Sequence, residues 1–186
     1  MASAKSLKLL SWIGIVLAIG AAFAVGFGNL NGCDEVTSRE TQAVKINGRT
    51  FFLEVAADDA TRFRGLGGRT HIDENGGMLF VFPQAKGTDN GFVMRDCPID
   101  IDIIYLDSNG IVVTTHMMKA ELPRGPGEGQ PGDLDNRSYE SRLKIYRPRY
   151  PYQFAIELKG GTLPTLGVKE GDRIDLPLQK LKAIAR

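Results

Sequence analysis

Cysteine is scarce. The 186 residues hold two, Cys33 and Cys97, which excludes a disulfide framework. No Cys-x-x-Cys occurs, so dithiol redox chemistry is excluded, and no Gly-x-Ser-x-Gly elbow marks a serine hydrolase. Net charge is also missing. Lys and Arg number 23 against 22 Asp and Glu, for a formal +1. That balance excludes a strongly basic nucleic-acid binder on charge alone, and an acidic disordered tail. Internal repeats and low-complexity blocks are absent. What is abundant is turn chemistry, with 22 Gly and 9 Pro, which points to a β-rich fold. The length suits one domain plus a tail.

The first 33 residues form a separate compositional block. Their only charges are Lys5 and Lys8, and residues 9–27 run without a charge through Trp12, Ile13, Ile15, Val16, Leu17, Ile19, Phe23 and Val25. As a helix this run spans roughly 28 Å, close to a bilayer's hydrocarbon thickness and longer than a signal-peptide core. Lys5 and Lys8 precede the run and Asp34 and Glu35 follow it, which places the remainder of the chain outside the cytoplasm. Cys33 follows Leu30-Asn31-Gly32, a sequence that resembles a bacterial lipobox, with Asn31 departing from the usual small or apolar residue. An uncleaved transmembrane anchor and a lipoprotein-type signal segment with lipidated Cys33 both tether the domain. The expected organisation is an anchor over 1–33, a polar linker over 34–42, and a mostly β extracytoplasmic domain over 43–186.

Within that domain, Val44 and Ile46, then Asn47-Gly48, then Phe52, Leu53 and Val55 spell a hairpin. Asp58 or Asp59 caps a short helix that Gly65, Gly67 and Gly68 end. Met78 to Phe82 is a buried strand closed by Pro83. Strands are expected over 91–95, 99–106, 111–118, 152–158 and 173–178, with an irregular loop at 123–132. The turn Asp107-Ser108-Asn109-Gly110 suits a three-residue loop that pairs 107 with 111. Carried down the hairpin, that register makes Asp102 and His116 cross-strand neighbours.

Arg62-Phe63-Arg64-Gly65-Leu66-Gly67-Gly68-Arg69, Gly77-Met78-Leu79-Phe80-Val81-Phe82, Phe92-Val93-Met94-Arg95-Asp96-Cys97, Asp102-Ile103-Ile104-Tyr105-Leu106-Asp107, Glu157 and Gly171-Asp172 occur in that order. This ordered set, over about residues 44–178, resembles the bacterial and archaeal family known as domain of unknown function 192. Val93, Asp96, Cys97 and Asp100 stand where that family often has Trp, Asn, Thr and Pro, and the stretch from 123 to about 145 is longer than usual. The resemblance implies a compact, mostly β domain, commonly carried behind a signal or anchor segment, and no established activity.

Three groups of residues carry candidate chemistry. Asp96, Asp100 and Asp102 with His116 suit a divalent metal or an acid–base pair, although a full ligand set is not evident; the simpler alternative is that Asp102 accepts hydrogen bonds from backbone or His116 and fixes the sheet. Arg62, Arg64 and Arg69 around the glycines suit an anion, or else pair with Asp58, Asp59 or Asp73 around a glycine-capped helix. Arg137, Tyr139, Arg142, Lys144, Tyr146, Arg147, Arg149 and Tyr150 suit an anionic envelope ligand or a protein partner rather than nucleic acid, or else form a solvated strand edge. Cys97 reads as a small buried apolar residue, and His71 as solvated.

The expected fold is a mostly antiparallel β barrel or sandwich with one or two short helices, preceded by a transmembrane or signal helix. The expected function is a membrane-tethered binding or accessory module, with a groove rimmed by the 123–150 insertion and by Arg62, Arg64 and Arg69. Its ligand and cofactors are not specified by the sequence. The alternatives are an envelope enzyme centred on Asp102 and His116, metal-assisted or acid–base, and a subunit of a larger membrane complex.

Overall fold

A computed structural model describes residues 40–186, so the apolar run at 9–27 and Cys33 lie outside the described residues. Among the described residues no helix is long and apolar enough to cross a membrane. The chain forms β1 (Thr41–Ile46), β2 (Arg49–Ala56), α1 (Asp59–Arg64), β3 (Gly76–Lys86), β4 (Ile101–Leu106), β5 (Val112–Met118), α2 (Arg137–Arg142), β6 (Tyr152–Lys159), α3 (Leu163–Leu166) and α4 (Leu178–Ile184). The six strands make one sheet in the order β1-β2-β3-β6-β4-β5.

The β1–β2 hairpin turns at Asn47 and Gly48, with φ of 44° and 88°. Positive φ at both central residues is what a tight hairpin turn requires, and Asn-Gly supplies it. Asp58 caps α1, accepting from the Thr61 amide at 3.0 Å while Thr61 Oγ1 meets the Asp58 amide, and Gly65 ends the helix.

The sheet is mixed rather than wholly antiparallel. β2 and β3 run parallel, and every other pair is antiparallel. β1 and β5 end the ladder without pairing, so hydrogen bonding does not close it into a barrel. Several local expectations also change. β3 continues past Pro83 to Lys86, through an irregularity in its pairing with β6. Residues 91–95 make only a bridge from Phe92 to Tyr146, and 173–178 only a bridge from Arg173 to Ile111. The helices α2, α3 and α4 go beyond the expected elements, because each is about two turns or less and shows too little periodicity to register.

Both faces of the sheet are buried. One carries Phe51, Leu53, Leu79, Val81, Ile104, Phe154, Ile156 and Leu158, packed with Leu163, Ile174 and Leu181. The other carries Met78, Phe80, Ile101, Ile103, Tyr105 and Ala155, packed with Leu66, Met94, Cys97 and Tyr146. Burial on two faces explains why β3, β4 and β6 read as near-continuous apolar runs rather than alternating ones.

The β4–β5 hairpin corrects the pairing of Asp102 with His116. The expected turn holds at its tip, where the Asp107 amide donates to the Ile111 carbonyl at 2.9 Å and Leu106 pairs with Val112. The next pair is Tyr105 with Thr114, so Val113 is an extra residue, a β-bulge. Beyond it Asp102 pairs with Met117 and Ile103 with His116. A slip of one residue sends the two side chains to opposite faces. Asp102 is buried and accepts from the Leu163 amide at 2.7 Å, fastening the start of α3. Asp102→Ala orphans that amide, and a loss of about 1–3 kcal/mol is expected in a urea titration, with no change in metal content.

Candidate functional site

Three polar side chains are buried within β3, β4 and β6: Asp102, Gln153 and Glu157. Asp102 is satisfied by Leu163, and Gln153 donates to the carbonyls of Phe82 and Pro83 at 3.1 and 3.3 Å. The Glu157 carboxyl makes no hydrogen bond with another described residue. It is 5 % exposed and lies in the middle of β6, flanked by Met78 of β3 and Ile103 of β4. Burial away from water pushes its carboxyl up to about 8, an effect that the nearby positive charge of Arg69 only partly opposes. At pH 7 the group is therefore mostly a neutral acid, able to donate a hydrogen bond.

The pairing registers place Glu54, Met78, Glu157, Ile103 and His116 in one row across the sheet. The carboxyl in His116's row is thus Glu157, with Ile103 between them, and not Asp102. His116 itself is committed, since its Nε2 donates to the Arg147 carbonyl at 2.7 Å. At the other end of the row Arg69 grips Glu54 with two bonds, of 2.5 and 2.7 Å.

Glu157 opens into a cleft of about 1020 Å³. Phe80, Phe82, Phe92 and Tyr152 line its floor. Their rings meet edge-on, Phe80 with Phe92 at 4.9 Å and Phe82 with Tyr152 at 5.4 Å between centroids. One wall is α1 and its glycine turn, which bring Arg62, Arg64, Gly67 and Gly68 to the rim. The opposite wall is the segment from Asn90 to Cys97, with Pro131 and Gly132 of the long insertion beside it. The Gly68 amide donates to the Asp96 carbonyl at 2.9 Å and ties the two walls together.

Most charged groups here are committed. Arg62 donates to Asp59 at 2.6 Å and to the Val81 carbonyl at 2.8 Å. Arg95 pairs with Glu140 in two bonds. Asp96 receives Arg124 at 2.8 and 3.0 Å and the Gly132 amide at 3.0 Å, and Arg124 above all holds its carboxyl below the usual range. Arg124 also lies 3.7 Å from the centroid of the Tyr139 ring, whose hydroxyl accepts from the Asp96 amide. This network clamps the insertion against the cleft. Arg64 is exposed, and Lys86 sits 5.5 Å over the Phe82 ring. Neither has a carboxylate partner among the described residues.

The remaining candidates sit elsewhere. Asp100 is exposed and pairs with Lys119 at 2.7 Å. Arg142 is bound by Glu121 and by Glu128, whose carboxyl it holds down to about 2. Arg147 is exposed and Arg149 reaches Glu170 at 3.4 Å. Tyr139 and Tyr146 are core residues, whereas Arg137, Lys144, Arg147, Arg149 and Tyr150 of the same stretch are exposed. Of the six candidate ligand arginines, Arg62 and Arg64 line the cleft, whereas Arg69, Arg142, Arg147 and Arg149 do not. Cys97 is buried on the cleft wall, and burial pushes its thiol up to about 12, which leaves it unreactive at neutral pH. His71 is exposed beside Asp73. Among the described residues no group of His, Cys, Asp and Glu could hold a metal ion.

Glu157, Arg95 and Arg124 are site residues outside the three candidate groups of the sequence. The sign for Glu157 was present: one acid inside Tyr152-Gln153-Phe154-Ala155-Ile156-Glu157-Leu158, a run apolar enough to be buried on both faces. For Arg124 nothing local distinguishes it from other loop arginines.

Comparison with known proteins adds the following. No curated protein matches the chain. Among solved structures, a Sinorhizobium meliloti 1021 protein described as a candidate transcription regulator is similar at 26 % identity and a TM-score of 0.57, over 74 % of this chain and 95 % of that one. A Novosphingobium aromaticivorans DSM 12444 protein of unknown function shares the fold at 21 % identity and a TM-score of 0.54, over 76 % of this chain and 89 % of that one. The profile of domain of unknown function 192, described as an uncharacterised conserved family, matches residues 42–176. That span takes in all six strands but the first residue of β1, both walls of the cleft and Glu157, and the chain belongs to this family.

Proposed function

We propose that the protein is a non-enzymatic binding or accessory module of the cell envelope, tethered through residues 1–33 on the extracytoplasmic side, and that its ligand lies in the cleft over Glu157. The observation that carries the ligand site is the uncommitted Glu157 carboxyl facing a large aromatic-floored cleft, while Asp102 and Gln153, buried in the same strands, are satisfied. A cleft that is mainly apolar with a few convergent polar groups is the usual form of a small-molecule site. The tether is supported by the uncharged run at 9–27 with Lys5 and Lys8 before it and Asp34 and Glu35 after it.

Two measurements test the reading. Protease added outside spheroplasts should digest residues 40–186 of the full chain, and protection there would overturn the location. Heteronuclear NMR against small aromatic and acyl compounds should shift signals of Phe80, Phe92 and Glu157. Ala60→Trp, an exposed position on the α1 wall, should abolish those shifts without unfolding the domain. Absence of shifts with every compound would overturn the ligand site.

A further inference from the structure

We infer that the cleft takes an organic anion with an apolar body: Arg64 and Lys86 hold the anionic end at the rim, the body lies on Phe80, Phe82, Phe92 and Tyr152, and an uncharged ligand oxygen accepts a hydrogen bond from the Glu157 carboxyl. This rests on the reading of the cleft as the ligand site.

The argument is a charge balance. Seven ionisable groups of the lysine, arginine and carboxylic types line the cleft: Asp59, Arg62, Arg64, Lys86, Arg95, Asp96 and Glu157. Asp59 and Arg62 neutralise one another, Arg95 is neutralised by Glu140, and Asp96 by Arg124. Arg64 and Lys86 remain at the rim, and Glu157 remains at the floor. A lone carboxylate at the floor would be poorly hydrated, since only 5 % of Glu157 is exposed, so the group keeps its proton there. The cleft therefore has a positive mouth, an apolar bed and a neutral donor at its base. A cationic ligand would pass two uncompensated cations to reach a group that carries no charge. An anion is drawn by the same rim. The buried donor then discriminates among anions, because a ligand without an acceptor leaves it unpaired.

The surroundings of Glu157 allow this donor to be switched by pH. Arg69 faces it from the crossover after α1, Cys97 from the 90–97 wall and Tyr105 from β4, and Tyr152 of its own strand lines the same cleft. β3 contributes only Met78 and Phe80. Burial raises the Cys97, Tyr105 and Tyr152 groups, and Arg69 stays charged, so Glu157 alone of this set changes state between pH 6 and 9.

Isothermal titration of the full chain with three probes tests the inference: 6-methoxy-2-naphthoate, 2-naphthoate without the ether oxygen, and the 6-methoxy-2-naphthylmethylammonium ion. At pH 7 the methoxy anion should bind at least about tenfold tighter than the ammonium ion, and tighter than 2-naphthoate. The rim double variant Arg64→Ala, Lys86→Ala should erase the preference for the anion. Affinity for the methoxy anion should fall severalfold, up to about tenfold, from pH 6 to pH 9, whereas Glu157→Gln, a permanent neutral donor, should stay within about twofold. Ammonium binding as tight as the anion's, or a wild-type affinity flat with pH, overturns this inference and leaves the cleft as a ligand site. No binding by any probe overturns both.

Discussion

The stability of residues 40–186 should fall as pH rises from 5 to 9, and Glu157→Gln should remove most of that fall. The folded protein holds the Glu157 proton up to about pH 8, whereas an unfolded chain releases it near the ordinary value of 4.5. Below 4.5 both states are protonated and the group contributes nothing to pH dependence. Between 4.5 and 8 the unfolded state gains by ionising and the folded state does not, so stability declines with pH. Above 8 both are ionised and the loss is complete. The interval corresponds to about 5 kcal/mol at most, a large share of a domain's usual margin. Urea titrations followed by circular dichroism at pH 5, 7 and 9 measure it. Both histidines remain in the variant, so the difference between the two proteins isolates Glu157. Parallel pH profiles would show that the carboxyl is already ionised in the folded protein.

Gly77→Ala should be among the most damaging single-methyl changes in the domain. Gly77 has φ of 153° and lies against β6, where an added Cβ would stand 2.2 Å from the Glu157 carbonyl oxygen and 3.0 Å from Leu53 Cδ2. The first contact is with backbone in a central strand, which has no rotamer to change. Relief requires β3 and β6 to part directly beneath the cleft. A loss of at least about 3 kcal/mol is expected from this overpacking. Gly48→Ala is the control: φ there is 88°, yet nothing lies within 4 Å of the added carbon. It should cost only about 1–2 kcal/mol of backbone strain. Equal losses in the two variants would mean that the sheet accommodates the methyl group and that backbone conformation alone sets the cost.

The parts of the fold legible in the sequence were those that depend on neighbours along the chain. Asn47-Gly48 fixed a hairpin through φ alone, and Asp58 with Thr61 fixed the start of α1. Met78 to Phe82 announced a strand buried on both faces. What failed depended on a partner from elsewhere. The bulge at Val113 undid the juxtaposition of Asp102 and His116, although the turn itself was read correctly. Parallel pairing of β2 with β3 leaves no mark in either strand's composition. The site divides in the same way. Arg62 and Arg64 were picked out from their glycine turn, and they do line the cleft. Glu157 is not legible as a candidate, because a lone acid in an apolar run gains meaning only beside Asp102 and Gln153, its buried counterparts, which are satisfied.

The parallel β2–β3 pair has a consequence for how this site can change. Two parallel neighbours cannot be joined by a tight turn, so the chain must leave the sheet after β2 and travel back along it before β3 begins. In this protein that obligatory return path is the very stretch that bears α1, Gly67, Gly68 and Arg69. The wall is accordingly a product of strand order and not an ornament added to a finished sheet. Its side chains are free to be exchanged for others of different chemistry, but shortening it to a hairpin loop would demand a different strand order. Engineering of new selectivity is therefore best directed at Ala60, Phe63 and Arg64, where altered recognition leaves the chain's route intact.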